Sequence, residues 1–160
     1  MAVIGTIGQD VATANYTPAN YTYIDKRNPA TAKGKIYAVK LTVTASGTAT
    51  IKLKIFRING SNYDVVSDQT FAGLTTGENT ITLTTPVNIL VGDLIGMWTG
   101  AAGNSATLGY ASGTGTGHHS LATTDVTGTT PIASFSAGAE TLDIVSNIMS
   151  VPGSAFMFFL

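Results

Sequence analysis

The chain lacks cysteine altogether and carries little charge. With no cysteine among its 160 residues, a disulfide framework, a thiolate nucleophile and a cysteine-based zinc site are all excluded. Charged residues make up 11% of the chain, less than half of the roughly 25% that is usual for globular domains. Threonine fills much of the gap, at roughly one residue in six, and this β-branched residue suits a pleated, half-exposed surface. The composition therefore indicates a β-rich domain whose surface is solvated by hydroxyl groups.

Long apolar runs are also missing. No stretch approaches the ~20 residues of a membrane span, so we expect no membrane partner. Residues Met1–Thr6 lack a basic region followed by a continuous apolar run and predict no signal peptide. The length suits one well-cored domain and is short for two. We expect residues 1–23 to form an N-terminal extended arm or lead-in strand, and residues 24–160 to form a single β-sandwich domain.

Positive charge is confined to one window of the sequence. All eight basic residues lie between Lys26 and Arg57, and none follows. Most of the acids come later, at Asp64, Asp68, Glu78, Asp93, Asp125, Glu140 and Asp143. The formal net charge of -1 therefore conceals a polarised distribution. Complementary patches of this kind steer association and set the register between surfaces.

Two neighbouring segments alternate between apolar and polar residues and predict half-buried strands. The predicted inward residues are Tyr37, Val39, Leu41 and Val43 on the first strand, and Ile51, Leu53 and Ile55 on the second. A hairpin closed by a loop at Ser46–Thr48 would pair these faces, Val43 with Ile51, Leu41 with Leu53 and Val39 with Ile55.

The predicted hairpin register places three lysines together on the outward face. Lys40 lies directly opposite Lys54, with Lys52 on the diagonal, and like charges facing each other are destabilising. Either the long side chains splay into solvent, or an acidic surface covers this face. That surface would belong to the molecule's own later strands or to a neighbouring subunit.

Turn signals and short β-prone runs continue to the end of the chain. Further strands are predicted at Tyr63–Val66, Asn79–Thr85, Asn88–Val91, Leu94–Thr99, Ala106–Ala111, Ile132–Phe135, Thr141–Ser150 and Ala155–Leu160. Pro86 is expected to separate two of them. Many short strands at regular spacing predict an all-β fold, an antiparallel β-sandwich of the jelly-roll type.

The last predicted strand is apolar on both faces, so it must be covered by its own sandwich or by another chain. It contributes Phe156 and Phe158. The residues expected at an assembly interface are therefore Lys40, Lys52, Lys54, Phe156 and Phe158.

The motifs that resemble chemical sites are weak. His118 and His119 are adjacent, so on a strand they point to opposite faces and cannot easily share a metal. Ser120 beside His119, with Asp125 nearby, lacks the nucleophile elbow of a hydrolase. Asp25, Asn28, Asp64 and Asp68 could contribute oxygen ligands to calcium, but their spacing matches no EF-hand loop. We predict no catalytic, cofactor-binding or metal-binding residues, no cofactor, and no enzymatic activity.

Aromatic residues bear on two binding functions. Nucleic-acid binding is disfavoured because the basic window has few exposed aromatic partners, with only Phe56 expected to point outward. Sugar binding requires exposed rings for stacking, and the single tryptophan, Trp98, is expected in the core. The tyrosines that remain for such a platform are Tyr16, Tyr21, Tyr23, Tyr63 and Tyr110.

Several turn motifs resemble those of a known family. They are Ile24–Ala30 followed by Gly34–Ile36, Ile55–Arg57 followed by Gly60–Ser61, Phe71–Leu74 and Gly92–Gly96. Together they are similar to the β-sandwich domains of phage and metagenomic virion-associated structural proteins. The resemblance covers about residues 22–113, rests on turn chemistry, and carries over no functional residues. It implies a jelly-roll-like module used on virions.

These observations favour a non-enzymatic bacteriophage virion structural protein, a capsid decoration protein or a tail or fibre component, that acts through subunit–subunit contacts. We expect a homo-oligomer located on the virion, with other virion proteins as partners. The alternative is a carbohydrate-binding or receptor-binding β-sandwich module, located extracellularly, with a glycan as its partner.

Overall fold

A computed structural model describes residues 1–11, 15–16, 18–45, 50–100, 106–112, 115 and 117–151. They form fourteen strands and one 3-10 turn, Ile132–Ser134. No helix long and apolar enough to span a membrane occurs in the part of the chain that is described. The strands are β1 Val3–Gln9, β2 Asn15–Tyr16, β3 Tyr21–Asp25, β4 Gly34–Ala45, β5 Thr50–Asn59, β6 Asn62–Ala72, β7 Gly77–Ile89, β8 Leu94–Trp98, β9 Ala106–Ala111, β10 His118–Ala122, β11 Thr130–Pro131, β12 Ser136–Gly138, β13 Thr141–Leu142 and β14 Ile144–Met149.

The strands make two antiparallel sheets. Sheet 1 contains the order β1-β14-β4-β7, and β9 extends it by pairing with the end of β4, with β2 and with β13. Sheet 2 has the order β11-β6-β5-β8-β3-β10-β12. The eight strands β1, β3 to β8 and β14 are divided between the sheets in the order of a jelly roll: they alternate except that β5 and β6 are consecutive in sheet 2. The segment containing β9 to β13 is inserted before the last of them. The predicted all-β sandwich is confirmed.

The main core lies between the two sheets. Val39, Leu41 and Val43 of β4 are buried against Ile51 and Leu53 of β5 as part of one apolar cluster. The period-2 alternation of both strands therefore identifies their buried faces correctly. Tyr37 is the exception: it is half-buried instead of inward, because a register shift between Ile36 and Ala38 puts Ile36 in the core.

A second apolar cluster lies on the outer face of sheet 2. It consists of Ile24, Phe56, Tyr63, Leu94, Val126 and Phe135. The chain between β10 and β12 supplies Val126 and Phe135, and it is tied to the sheet through the pairing of β11 with β6. Sheet 2 is therefore covered on both faces, and residues on its outer face are not automatically solvated.

The predicted hairpin between β4 and β5 is wrong. β4 pairs with β7, β14 and β9 in sheet 1, whereas β5 pairs with β6 and β8 in sheet 2. The apolar faces of β4 and β5 therefore meet across the core, from opposite sheets. A hairpin and a pair of facing strands both require alternating apolar and polar residues, so the sequence pattern does not distinguish them. Lys40 and Lys54 are consequently not cross-strand partners. Phe56 lies on the outer face of sheet 2 as expected, but it is not an exposed aromatic partner, because the second cluster buries it.

Several other expectations differ from the structure in detail. Ile132–Phe135 was expected as a strand but contains a 3-10 turn. Pro86 lies within β7, at a stretch where the pairing with β4 is interrupted, and does not separate two strands. The expected boundary after residue 23 falls inside β3, and β1 pairs with β14 of the same chain. Ser46–Thr48 and Ala155–Leu160 lie outside the described residues.

The beginning of the chain is held in place at Gly8. Gly8 has a φ of 76°, and its backbone N–H donates to the carbonyl of Asn28 at 2.8 Å. A Cβ atom built there would lie 2.0 Å from the carbonyl oxygen of Ile144 on the paired strand. Only glycine allows both this conformation and this approach of the two backbones.

Substitution of Gly8 should therefore be far more damaging than substitution of a glycine in open space. We expect Gly8→Ala to lower the free energy of unfolding by more than about 3 kcal/mol, because strain at positive φ and a backbone collision add. Gly60→Ala is the matched control: its φ is 59° with no atom within 4 Å, and it should cost about 1–2 kcal/mol. Urea denaturation measures both, and equal losses would contradict the close approach at Gly8.

Candidate functional site

A fully buried lysine lies on the outer face of sheet 2. The side chain of Lys54 is fully buried, and its Nζ lies 2.7 Å from Oδ2 of Asp68 and 2.8 Å from Oδ1 of Asp125. Asp68 is its cross-strand partner on β6, whereas Asp125 lies on the segment that covers the sheet. The cation therefore connects the sheet to its covering segment.

Lys52 enlarges this cluster. It donates a hydrogen bond to Oδ2 of Asp125, and its Nζ lies 5.9 Å from the centroid of the Trp98 ring. Trp98, expected in the core, is half-buried on the outer face of sheet 2. Burial by itself would raise the pKa of the Asp125 carboxyl, but the hydrogen bonds from Lys52 and Lys54 outweigh it, and the pKa is lowered.

Two further basic residues are also paired within the chain. Nζ of Lys40 lies 2.8 Å from Oδ2 of Asp10 and 2.7 Å from Oε2 of Glu78. The hydrogen bond to Asp10 and, to a smaller extent, the one to Glu78 raise the pKa of Lys40. Arg57 donates two hydrogen bonds of 2.8 Å to the carboxylate of buried Asp93.

The expected lysine cluster is therefore divided between the sheets. Lys54 lies on the outer face of sheet 2 as predicted but is fully buried there, Lys52 lies beside it, and Lys40 lies on sheet 1. The acidic surface expected over Lys52 and Lys54 belongs to this chain. Phe156 and Phe158 lie outside the described residues.

His118 and His119 point to opposite faces of β10, as their adjacent positions on a strand predict. Nδ1 of His119 lies 2.9 Å from the hydroxyl of Tyr63, and its ring stacks on Phe135 with centroids 6.2 Å apart. Burial first, and then the charges of Lys26 and His118, lower the pKa of His119. His118 points the other way, towards Tyr23 and Glu140.

The weak chemical motifs do not become sites in the fold. Asp125 is engaged by lysines and His119 by Tyr63, so neither forms a triad with Ser120. Asp25 caps its own turn by accepting hydrogen bonds from the backbone of Arg27 and Asn28. Within the described part of the chain, no three His, Asp or Glu side chains are close enough to hold a metal ion.

Three of the candidate tyrosines come together around a small cavity. Tyr21, Tyr23 and Tyr110 line a space of about 200 Å³ together with His118 and Glu140. Tyr63 is buried elsewhere, in the second apolar cluster. In the sequence, only the tyrosines indicated a possible binding site. The contribution of His118 and Glu140 was missed, because β9, β10 and β12 are distant in sequence and come together only in the folded chain.

Exposed apolar side chains gather at one end of sheet 1, which we call the apolar end. It is composed of Met1, Val3, Ile4, Leu90, Val91 and Val151, and only two other large apolar residues of the described chain, Ile58 and Val66, are exposed. Ile4, Leu90 and Val151 share a groove of about 440 Å³. Contiguous exposed apolar surface of this kind marks interaction sites.

The apolar end continues onto the outer face of sheet 1. There Met1 and Met149 line one end of a second groove, of about 660 Å³, and Asp10 and Lys40 lie along the same groove. The neighbouring edge of β1 is protected, because the backbone N–H groups of Gly8 and Thr31 join β1 to residues 28–31 by hydrogen bonds. The available surface is therefore the apolar side chains, not a free strand edge.

Comparisons with known proteins give no relative for this chain: no family model, no curated protein and no solved structure matches it. The fold and the arrangement of these surfaces therefore carry the functional argument.

Removal of the Lys54 cation should destabilise the folded domain. We expect Lys54→Met to lower the free energy of unfolding by about 3 kcal/mol, because it leaves two partly buried carboxylates without their shared cation. Lys52→Met is the control, and should cost about 1 kcal/mol or less because Lys52 is only partly buried. Chemical denaturation measures both. A larger loss for Lys52→Met would contradict the central position of Lys54.

Stability should fall in mild acid because of His119. Its pKa is lowered in the folded state, so the unfolded state binds the proton more readily. The contribution of His119 is complete above the unfolded value near 6.5 and is lost as the pH falls through the folded pKa.

Replacement of each histidine separates their contributions. In His119→Gln, the free energy of unfolding should fall less between pH 7 and pH 5 than in the unsubstituted protein. In His118→Gln, on the opposite face of β10, the decrease that His119 causes should remain. Thermal or urea unfolding at each pH provides the measurement. An unchanged pH profile in His119→Gln would rule the explanation out.

Proposed function

We propose that this jelly-roll domain is a non-enzymatic structural subunit of a bacteriophage virion, a capsid decoration protein or a tail or fibre component, that works through subunit–subunit contacts. The single observation that carries the proposal is the apolar end. Six of the eight exposed large apolar residues of the described chain belong to it. The resemblance of the turn motifs to virion-associated sandwich domains supports the same class.

The partner that we assign to the apolar end is a second copy of the chain. A formal net charge of -1 gives little long-range repulsion between copies. In a dimer with two-fold symmetry, both subunits use the same surface patch. The apolar ends of two copies can therefore cover each other. Phe156 and Phe158 lie outside the described residues and stay predicted interface residues.

The buried charges support a structural role. Lys54, Asp125 and Asp93 have partners within the chain, and such pairs hold a fold together without offering a reactive group. The same pairing weakens the case for an interface driven by Lys54. A contact of Lys40 or Lys52 with a neighbouring subunit stays a prediction.

Charges introduced at the apolar end should disrupt assembly without unfolding the domain. Ile4→Asp combined with Val91→Asp places two carboxylates at exposed positions, and should weaken self-association at least tenfold because the charges would have to be desolvated. Light scattering coupled to size exclusion, across a range of concentrations, measures the effect. Because the contact is apolar, association of the unsubstituted protein should persist at high salt.

The matched control uses the two exposed apolar residues outside the apolar end. Ile58→Asp combined with Val66→Asp adds the same charge elsewhere and should leave association unchanged. A protein that is monomeric at every concentration, or a control as disruptive as the test variant, would refute the proposed contact.

The virion assignment has its own test. Genes for capsid or tail proteins should flank the coding sequence, and the protein should be found by mass spectrometry in purified particles from the same source. Its absence from such particles would refute the virion location while leaving self-association intact.

A further inference from the structure

The cavity lined by tyrosines lies where the two sheets come together beside β10 and β12. Its walls come from both sheets: β3 and β10 belong to sheet 2, and β9 belongs to sheet 1. The lining residues are Pro18, Tyr21, Tyr23, Tyr110, His118, Ser120, Ala137, Gly138 and Glu140. At about 200 Å³ the cavity is smaller than the roughly 300–1,000 Å³ of sites for drug-sized ligands. It therefore fits one small molecule or one unit of a larger one.

The aromatic walls are held in place by neighbouring groups. The rings of Tyr21 and Tyr23 stack with centroids 5.6 Å apart and planes 23° from parallel. The hydroxyl of Tyr23 donates to the carbonyl of Pro18 at 3.1 Å, and the His118 ring lies 5.6 Å from the Tyr23 ring. Tyr21 and Tyr110 remain half-buried, so both present part of their surface to the cavity. The walls are thus formed before any ligand binds.

Polar groups converge on the same space. Nδ1 of His118 lies 3.5 Å from Oε2 and 3.4 Å from the backbone oxygen of Glu140. The hydroxyl of Ser120 lies two residues further along β10, on the same face as His118. The Glu140 side chain is 37% exposed, which leaves its carboxylate accessible at the cavity.

Two glycines allow this arrangement. A Cβ atom on Gly138 would lie 2.2 Å from Cε1 of His118, and a Cβ atom on Gly117 would lie 2.0 Å from the backbone oxygen of Glu140. The imidazole therefore occupies space that any other residue at position 138 would fill. Glycine at position 138 thus leaves room for the imidazole, and glycine at position 117 lets the backbone of Glu140 approach.

We propose that this cavity binds a single neutral sugar residue, either free or at the end of a glycan. A pyranose presents C–H groups to aromatic faces, for which Tyr21 and Tyr110 provide apolar surface with a polar edge. Its hydroxyl groups donate to the Glu140 carboxylate and exchange hydrogen bonds with Ser120 and His118. An acidic sugar is disfavoured because its carboxylate would face that of Glu140.

A quaternary ammonium ion is the main competing ligand, since aromatic rings beside a carboxylate also bind such cations. A methylated ammonium has no hydrogen bonds to offer Ser120 and His118. Those polar groups would lose water without compensation. The combination of two tyrosine surfaces with three hydrogen-bonding side chains therefore favours the sugar.

Ligand-observed NMR and calorimetry test the assignment on the full chain. The probes are methyl glycosides of neutral hexoses and N-acetylhexosamines, with tetramethylammonium chloride and N-acetylneuraminic acid as the competing arms. We expect at least one neutral glycoside to bind with a Kd of about 1 mM, and the competing probes to bind at least tenfold more weakly. A glycan array then distinguishes a free sugar from the terminal residue of a glycan.

Substitutions locate the binding to this cavity. Tyr21→Ala and Glu140→Gln should each weaken the bound glycoside at least fivefold. Ser120→Trp, on the cavity face of β10, should block binding, because the larger side chain occupies the space that the sugar would take. Tyr37→Ala is the matched control, because Tyr37 is a half-buried tyrosine on the outer face of sheet 1 and should leave affinity unchanged.

The outcomes separate cleanly. Absence of binding by every neutral glycoside, binding that Ser120→Trp leaves unchanged, or preferential binding of tetramethylammonium would each overturn the proposal. Because the cavity is complete within one chain, it is independent of assembly. A monomeric protein that binds a sugar, or an oligomer that does not, would distinguish this inference from the proposed structural role.

Discussion

The buried cation of Lys54 is the interaction on which the arrangement of the second sheet depends. A fully buried ammonium is costly unless charged partners surround it, and here Asp68 and Asp125 provide them. Since Asp125 lies on the segment after β10, satisfying this charge also draws that segment onto the outer face of sheet 2. The covering segment then completes the apolar cluster around Phe56 and Tyr63.

That covering segment links the electrostatics to the proposed sugar site. It continues into β12, which pairs with β10 and so sets the wall that contains His118, Gly138 and the nearby Glu140. The apolar end lies on the other sheet and is made by the start of β1, the turn after β7 and Val151, two residues after β14. A jelly roll brings these distant parts of the chain together. Assembly and sugar binding would then use separate surfaces of one domain.

Sequence reasoning predicted the strands better than their partners. The alternation in β4 and β5 correctly located Val39, Leu41, Leu53 and Ile55 in the core, because burial of one face follows directly from a period of two. The hairpin was wrong because alternation identifies a buried face without specifying the sheet. The candidate site could be predicted only in part. The sequence indicated the tyrosines, but their position beside His118 and Glu140 depends on pairings between strands that are distant in sequence.

The sequence by itself determined the fold class, the lack of thiol chemistry and the confinement of positive charge to residues 26–57. These follow from composition and local periodicity, which need no knowledge of long-range contacts. Tertiary structure alone decided what the charges do. Four of the eight basic residues became partners in ion pairs within one molecule, because the jelly roll places Lys40, Lys52, Lys54 and Arg57 beside acids of other segments. For Lys54, which is fully buried, an unpaired charge would be too costly.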